Sequence, residues 1–469
     1  MKNRRWRVLG TAVALVAAVG GSRAAFANGR IPASSQIVVD PNNRDHMLTR
    51  ATFGALVSID RGATWHWVCE QAIGYSGIED PAYGITASGS LVGAIFEGLS
   101  VSTNGCSWEL AKGESIVSID DAGVSTSTDA GTLEKQVFVD LVLRPGNEKE
   151  LFALSSGFAS KAEDAGTFFF STKVFRSLDN ASSWKQIGTD LDPTILAETI
   201  EVAKSDPLRL YVSGERGVGV NPSGVILRST DGGEHFQEAS IPLTLEGELA
   251  VYLAGVSPTD PNRVYVRTTG PKAGPGRLLV SNDGGATFSV ALTGKGALLG
   301  FAISPDGNTV YVGGPEDGLL RAPASTLAWT QVSKVPIQCL TRTEDALWAC
   351  SQASTFVVGV STDEGATFTT KLMLDQVQGP LECAVGSSVE KECVSRWPQQ
   401  KSILGIPEFV DGGDLVVNED AGTTVAPPAE PTKPGGCNCS LEERGSATLP
   451  LLGGIAAFVA AYIARRRRR

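Results

Sequence analysis

The sequence has little charge and very few histidines. Charged residues make up 19% of the 469 residues, and the three histidines, at positions 46, 66 and 235, are isolated from one another. The low charged fraction, together with 53 glycines and 24 prolines, argues against a coiled coil and a helical solenoid. The 42% of hydrophobic residues argues against bulk disorder. Scattered histidines also give no basis for a histidine-centred active site. A large all-β body fits this composition.

Basic side chains are scarce outside the two ends of the chain. Ten of the 40 lysines and arginines lie in residues 1–27 and 465–469, which contain no acidic residue, so 30 basic side chains remain against 51 acidic ones. Binding to nucleic acid needs a basic surface that neutralises phosphates. The sequence therefore predicts no nucleic-acid partner, and its acidic middle favours basic or cationic partners.

The amino-terminal segment has the three parts of a secretory signal peptide. The basic stretch Met1–Arg7 precedes the apolar stretch Val8–Gly20 and the small-residue site Ala25-Phe26-Ala27. An uncleaved membrane anchor is the alternative, although the apolar stretch is short for a span. We predict a signal peptide at residues 1–27 that is cleaved after Ala27. Export would place the eight cysteines in an oxidising compartment, where they become disulfide candidates.

The carboxyl end is predicted to be a linker followed by an apolar helix. Residues 407–436 form the linker, because the acidic, proline-rich stretch 411–436 has almost no large apolar side chains. Residues 437–469 contain the apolar run Ala447–Ala464, which is just long enough to span a membrane, and five terminal arginines that would stay cytoplasmic. Cys437 and Cys439 could also form a local disulfide, but two cysteines without a nearby histidine make a weak metal motif.

The order of elements in this tail resembles a known sorting signal. Gly435-Gly436-Cys437, a spacer, an apolar helix and an arginine cluster are similar to the MYXO-CTERM tail of myxobacterial surface proteins. The resemblance implies export through the type II pathway, processing at Cys437 with removal of the helix, and retention at the outer cell surface. Before processing, the tail would anchor the protein in a membrane.

The middle of the chain repeats one eight-residue motif, Ser-x-Asp-x-Gly-x-Thr followed by Trp or Phe. Copies of this octad begin at positions 58, 102, 177, 229, 281, 322 and 361. The second copy is one residue short, the third has alanine in place of glycine, and the sixth keeps only its aromatic residue and apolar lead-in. The residues assigned to the motif are Ser58, Asp60, Gly62, Trp65, Asn104, Trp108, Asp179, Trp184, Asp231, Gly233, Phe236, Asp283, Gly285, Phe288, Trp329, Asp363, Gly365 and Phe368.

The octad has the chemistry of a tight turn between antiparallel strands. Its aspartate can accept hydrogen bonds from backbone N–H groups, its glycine supplies a positive φ, and its hydroxyls cap further backbone groups. Its aromatic residue can start the next strand and turn inward. These roles are structural, so we predict no catalytic, cofactor or metal function for the octads.

Four short strand patterns surround each octad, and seven such units fit between about residue 36 and residue 372. Repeated four-stranded units predict an all-β, seven-bladed β-propeller, since a closed ring leaves fewer open sheet edges. We assign residues 28–406 to this domain and include the segment 379–405 as an extension closed by a disulfide.

The octads resemble the BNR or Asp-box repeats of sialidase-like and sortilin-like propellers. That superfamily contains true sialidases, which carry an Arg-Ile-Pro motif, further arginines and a Tyr–Glu pair. Here Arg30-Ile31-Pro32 follows the predicted cleavage site, and nothing in the sequence brings Arg144 and Arg267 to one pocket. Tyr211, Tyr265 and Tyr311 recur at one place in successive units, which indicates packing.

Three disulfides are expected from local arguments. Cys339 and Cys350 would lie opposite each other across a turn at Glu344-Asp345, at a spacing slightly wide for a disulfide. Cys383–Cys393 would close the extension, which leaves Cys69–Cys106 to join the first two blades. Free buried thiols are the alternative.

Two inserts, at residues 113–135 and 159–169, could overhang one mouth of the ring and shape a binding surface. Asp120, Asp121 and Asp129 lack the spacing of a calcium loop, so a solvated loop is the expectation.

The sequence predicts an exported, monomeric, cofactor-free recognition module for a protein or an envelope polysaccharide. A sialidase-type glycoside hydrolase and a purely architectural envelope protein are the alternatives.

Overall fold

The computed structural model describes residues 31–407, apart from residues 78, 114–115, 120–124, 129–132, 134–135, 162–167, 219–221, 246–247, 249, 271–273 and 353. The predicted signal peptide with Ala27, most of the linker, and the sorting tail with Cys437 lie outside the described residues. None of the helices found in the described ranges is both long and apolar enough to span a membrane.

Seven four-stranded antiparallel sheets follow one another along the chain, and each is a simple meander. Blade 1 contains β1 (Ser34–Val39), β2 (Met47–Ala51), β3 (Gly54–Ser58) and β4 (His66–Val68). Blade 2 contains β5 (Ala82–Ile85), β6 (Leu91–Ile95), β7 (Gly98–Ser102) and β8 (Glu109–Leu110), and the short helix α1 (Glu70–Ile73) precedes it. Before blade 3 come β9 (Lys112–Gly113) and a separate hairpin of β10 (Ile116–Ile119) and β11 (Ser125–Thr128).

The next blades repeat the same order. Blade 3 contains β12 (Phe138–Leu143), β13 (Leu151–Lys161), β14 (Phe168–Ser177) and β15 (Ser183–Ile187), and its edge gains β9 as a fifth strand. Blade 4 contains β16 (Ile195–Val202), β17 (Leu210–Arg216), β18 (Ser223–Ser229) and β19 (Gln237–Ile241). Blade 5 contains β20 (Ala250–Val256), β21 (Val264–Thr269), β22 (Arg277–Ser281) and β23 (Ser289–Thr293).

The last two blades complete the series. Blade 6 contains β24 (Gly300–Ile303), β25 (Thr309–Gly314), β26 (Gly318–Pro323) and β27 (Thr330–Ser333). Blade 7 contains β28 (Cys339–Arg342), β29 (Leu347–Cys350), β30 (Val358–Ser361) and β31 (Thr369–Leu372). The predicted seven-bladed propeller is confirmed.

The ring closes where blade 7 meets blade 1. The first strands of all seven blades contact their neighbours in order, and β28 packs against β1. Across this junction the Thr341 hydroxyl donates to the Ile37 carbonyl at 2.7 Å, and Arg44 forms an ion pair with Glu344 at 2.5 Å. Apolar side chains fill the space between blades, and Tyr211, Tyr265 and Tyr311 are each fully buried in the second strands of their blades.

The octads form the corners between the third and fourth strands. In the third copy, Ser177 Oγ donates to Asp179 Oδ1 at 2.8 Å, and Ser183 donates to the same carboxylate through its backbone N–H at 2.9 Å and its hydroxyl at 2.7 Å. Trp184 Nε1 donates to the Ala181 carbonyl at 3.1 Å, and its indole is buried. Ala181, at the glycine position, has a φ of 67°, which explains why the other clean copies carry glycine there.

Residues after β31 form an extension on blades 1 and 2. A segment around Pro380 pairs with β4, since Trp67 N donates to the Gly379 carbonyl at 2.6 Å and Leu381 N donates to the Trp67 carbonyl at 2.9 Å. After a 3₁₀ turn at Leu374–Gln376 and this segment come helix α2 (Ser388–Cys393), a second 3₁₀ turn (Val394–Arg396) and helix α3 (Trp397–Ile403). The extension therefore covers the open edge of blade 1.

Two of the three predicted disulfide pairings are wrong. The structure joins Cys69 to Cys393 and Cys106 to Cys383, in place of Cys383–Cys393 and Cys69–Cys106. Helix α2 packs against α1, which puts Cys393 beside Cys69, and the chain before α2 passes the second octad, which contains Cys106. The extension is therefore tied to two blades and is not closed on itself.

The third pairing, Cys339–Cys350, is confirmed, but the expected wide spacing is wrong. The two residues are direct cross-strand partners, with Cα atoms 4.8 Å apart. The Cys350 carbonyl accepts its hydrogen bond from Gln338 N at 2.9 Å, although Cys350 lies opposite Cys339. The two cysteines are therefore not a regular hydrogen-bonded pair. Their Cα separation is close to that of a non-hydrogen-bonded antiparallel pair, which is the narrower of the two kinds.

We expect Asp179→Ala to lower the free energy of unfolding by about 1–2 kcal/mol, because the change leaves turn N–H and hydroxyl groups without their acceptor. Chemical denaturation monitored by tryptophan fluorescence would measure the change. The exposed Asp375 provides the control substitution. Equal stability of Asp179→Ala and the unmodified protein would contradict a structural role for the octad carboxylate.

Candidate functional site

The first strand of each blade lines a central channel, and four of these strands contain a β-bulge. The register of each bulged strand slips by one residue against its neighbour, and the extra residues are Ser35, Val139, Glu198 and Ala254. A bulge redirects a side chain and interrupts regular pairing. In blade 4 the redirected residue is Glu198, which lies in the mostly apolar strand β16.

Four carboxyl groups from blades 3 and 4 form the core of a polar cluster, which we call the channel cluster. They belong to Asp140 on β12, Glu198 and Glu201 on β16, and Glu215 on β17. Three keep some accessible surface, whereas Glu215 is only 3% exposed. Protein surrounds all four carboxyl groups, as expected in a narrow channel, so water solvates their charged forms poorly.

This enclosure changes the protonation of the cluster. Burial raises the pKa of Asp140 to about 7, although backbone N–H groups of Ile200 and Leu141 donate to its carboxylate at 2.9 Å each. Burial, reinforced by repulsion from Asp140, raises the pKa of Glu201 to about 8. Ordinary aspartate and glutamate carboxyls are fully ionised at neutral pH, so these two groups are unusual.

Glu198 and Glu215 lie on the adjacent strands β16 and β17 and influence each other's ionisation. Burial raises the pKa of both groups, and the negative charge of Glu198 raises that of Glu215 further. Val251 N donates to Glu215 Oε1 at 2.6 Å and fixes the position of the carboxyl group.

An aromatic residue and two arginines complete the channel cluster. Tyr252 on β20 lies close enough to Glu198 for the negative charge of that residue, together with burial, to raise the tyrosine pKa well above its usual value. Arg267 stacks on the Tyr252 ring, with its guanidinium carbon 5.1 Å from the ring centroid, and donates to the Leu298 carbonyl at 3.1 Å. Burial lowers the pKa of Arg267, and the charge of Arg50 adds to the effect.

The arginines do not neutralise the carboxyl groups through direct ion pairs within the described residues. Arg50 donates to the Ser35 hydroxyl at 2.9 Å and to the Asp80 carbonyl at 2.9 Å. Two buried glutamates elsewhere in the chain do have such partners: Glu150 contacts Arg144 and Arg176 at 2.6 Å each, and Glu248 contacts Arg277 at 2.6 Å. The carboxyl groups of the channel cluster have no comparable basic partner among the described residues.

The residues singled out in the sequence lie mostly outside this cluster. Arg267 is a member, but Arg144 belongs to the Glu150 ion pair. The octad carboxylates have the opposite electrostatics, since hydrogen bonds from Thr287 and Ser281 hold the pKa of Asp283 well below its usual value. Asp120, Asp121 and Asp129 lie outside the described residues, and within the described ones no group of three or more histidine, cysteine or acidic side chains is arranged to hold a metal ion.

Sequence reasoning missed the four carboxyl groups. The available signal was the segment Ile195–Val202, in which two glutamates interrupt a strand that faces the axis. The sequence does not show that Asp140, on another blade, lies against this strand.

Comparison with known proteins finds similar solved structures and assigns no family. No family model matches the sequence, and no curated protein matches it. Among solved structures, the chain is similar to an ancestral GH74 enzyme (14% identity over 73% of this chain and 47% of that one, TM-score 0.49), so it spans about half the length of that enzyme. It is also similar to Sqt1 from Chaetomium thermophilum (14% identity, 76% and 88% covered, TM-score 0.42) and to Kuenenia stuttgartiensis hydrazine synthase (11% identity, 74% and 100% covered, TM-score 0.45).

We expect Glu201→Gln to stabilise the protein at pH 8 by on the order of 2 kcal/mol. The folded-state pKa of Glu201, about 8, lies above its ordinary value of 4.5, so the native state binds the extra proton between these values. The stability that the protonated Glu201 contributes to the folded protein is fully present below pH 4.5 and is lost as the pH rises through 8. Melting temperatures of both proteins from pH 5 to pH 8 would measure the difference, which should shrink steadily as the pH falls toward 5.

The exposed Glu109→Gln provides the control for removal of one negative charge. If Glu201→Gln and Glu109→Gln gave the same pH profile, Glu201 would have to be an ordinary solvated carboxylate.

Proposed function

We propose that the protein is exported and held at the outer cell surface, where its propeller acts as a non-catalytic recognition module. The signal-peptide pattern at residues 1–27 and the tail pattern at residues 437–469 support this location. The three disulfides also support it, because such bonds persist in oxidising compartments. The module acts as a monomer and uses no cofactor.

Its partner carries cationic groups, on a protein or an envelope polysaccharide, and one such group enters the channel. The single observation that carries this proposal is the set of enclosed carboxyl groups without direct ion pairs. A cation among them would supply the missing counter-charge, and Coulomb attraction is stronger where water is excluded. The overall excess of acidic residues would attract the same partner from a distance.

Binding of the purified protein to arrays of lysine-rich peptides and amino-sugar glycans at pH 8 tests the proposal. We expect the double variant Glu198→Gln/Glu201→Gln to weaken binding by at least about tenfold, because two negative charges are removed from the channel. The control Glu109→Gln/Glu382→Gln removes two exposed negative charges and should bind like the unmodified protein.

Equal losses in both double variants would assign binding to the general acidity of the surface and contradict a channel site. Failure to bind any array member specifically would favour the architectural alternative.

A glycoside hydrolase of the sialidase type is the second candidate, and one observation favours it. Tyr252 lies beside the Glu198–Glu215 pair in the channel, and Arg267 stacks on its ring. A tyrosine next to a glutamate is what the resemblance to sialidases implies for a nucleophile. The non-catalytic proposal predicts no turnover of a fluorogenic sialoside. Turnover that is abolished by Tyr252→Phe would establish the enzyme instead.

A further inference from the structure

The extension after blade 7 is held on blade 1 by several contacts in one place. Backbone hydrogen bonds of 2.6, 2.9 and 3.0 Å join residues 378–381 to Trp65 and Trp67. The Trp397 ring lies 5.7 Å from the Trp67 ring, measured between centroids. The disulfide Cys69–Cys393 adds a covalent bond to this part of the extension. Blade 1 therefore provides a firm attachment.

A second attachment joins α2 to the corner of blade 2, where the octad is one residue short. In the first octad, Asp60 Oδ1 accepts a hydrogen bond at 2.8 Å from the backbone N–H of Thr64, four residues later. In the second octad, the N–H group four residues after Asn104 belongs to Trp108, and it donates to Ser388 Oγ at 3.0 Å. The extension therefore supplies the acceptor for an amide that the first octad satisfies by itself.

The two disulfides of the extension differ in accessibility. Cys69 and Cys393 are each 0% exposed, whereas Cys106 and Cys383 both keep some accessible surface. Thiol–disulfide exchange depends on access of a thiolate to a sulfur atom. A reductant in solution can therefore reach Cys106–Cys383 directly, but it reaches Cys69–Cys393 only after the extension has separated from blade 1.

We propose that the Cys106–Cys383 disulfide is a redox-controlled latch, which a dithiol reductant opens so that the corner of blade 2 can separate from α2. A thiolate of the reductant attacks one sulfur of the disulfide, a mixed disulfide forms, and the other cysteine leaves as a thiolate that is then protonated. The second thiol of the reductant displaces the remaining cysteine. The reductant is oxidised to its own disulfide, and Cys106 and Cys383 become thiols by gaining two electrons and two protons.

The contacts that remain keep the opening local. The hydrogen bonds of residues 378–381 lie before the latch in the chain and Cys69–Cys393 lies after it, so both ends of the released segment stay attached. Val389 is fully buried and favours the closed position, whereas Val385 is 92% exposed and has little contact to lose. Reduction therefore shifts the corner toward transient opening and leaves the ring closed.

Timed reduction of the folded full chain with dithiothreitol, followed by alkylation and peptide mass spectrometry, tests the order of opening. We expect Cys106–Cys383 to be reduced at least about tenfold faster than Cys69–Cys393, because the first disulfide is accessible without unfolding. Cys339–Cys350 is the control, since its cysteines are only 6% and 0% exposed, and it should be reduced as slowly as Cys69–Cys393.

Hydrogen exchange measured by mass spectrometry tests the consequence of opening. After selective reduction, the peptide 104–110 should exchange at least about tenfold faster, because the Trp108 amide becomes free of Ser388 during each opening. Residues 378–381 should exchange as before, and oxidised glutathione should restore the slow exchange. The double variant Cys106→Ser/Cys383→Ser should resemble the reduced protein. Cys339→Ser/Cys350→Ser, which removes a disulfide from blade 7, should leave the peptide 104–110 unchanged.

Equal rates of reduction for the two disulfides of the extension would overturn the latch. Unchanged exchange of the peptide 104–110 after selective reduction would also overturn it, and so would resistance of Cys106–Cys383 to the reductant until the protein unfolds. None of these results would affect the proposed function, because that proposal concerns the channel and does not involve the extension.

Discussion

Closure of seven blades into one ring is the constraint on which the rest of the structure depends. Because each blade contacts two neighbours, the seven first strands must meet side by side around one axis, and their inward side chains share a narrow channel. Water solvates the charged forms of polar groups poorly in such a channel. The raised pKa values of Asp140 and Glu201 follow from this crowding, since the same carboxyl groups on an outer strand would be solvated and ionised.

The octads and the channel cluster have opposite effects on the ionisation of their carboxyl groups. At a corner, Asp179 accepts hydrogen bonds from Ser177 and Ser183, so ionisation is favoured and the turn is stabilised. In the channel, Glu201 gains no comparable partner among the described residues, so its charged form is disfavoured. A group that lowers stability at neutral pH is characteristic of a functional position, because packing alone would favour an apolar or amide side chain.

The features that could be predicted from the sequence are those formed by residues close together along the chain. The octad determines its own turn within eight residues, so the corners, the strands beside them and the seven blades were predictable. Cys339 and Cys350 lie on one hairpin and were paired correctly for the same reason. Cys69 and Cys393 are 324 residues apart, and their pairing depends on how α2 packs on α1, which no local pattern encodes. The channel cluster was missed for a similar reason, since Asp140 and Glu201 meet only through the contact between blades 3 and 4.

The balance of charges in the channel bears on what the site can bind. Arg50 and Arg267 place positive charge near four carboxyl groups, yet their hydrogen bonds go to Ser35, Asp80 and Leu298. The charge of Arg50 lowers the pKa of Asp140 less than burial raises it, so this pKa is about 7. Asp140 and Glu201 are therefore at least partly protonated at neutral pH. A neutral ligand would leave this protonation unchanged, and an anion would be repelled once any carboxyl ionised. If the channel binds a cationic group as proposed, its selectivity would arise from the protonation equilibrium of the channel, and the surrounding acidic surface would bring such partners closer.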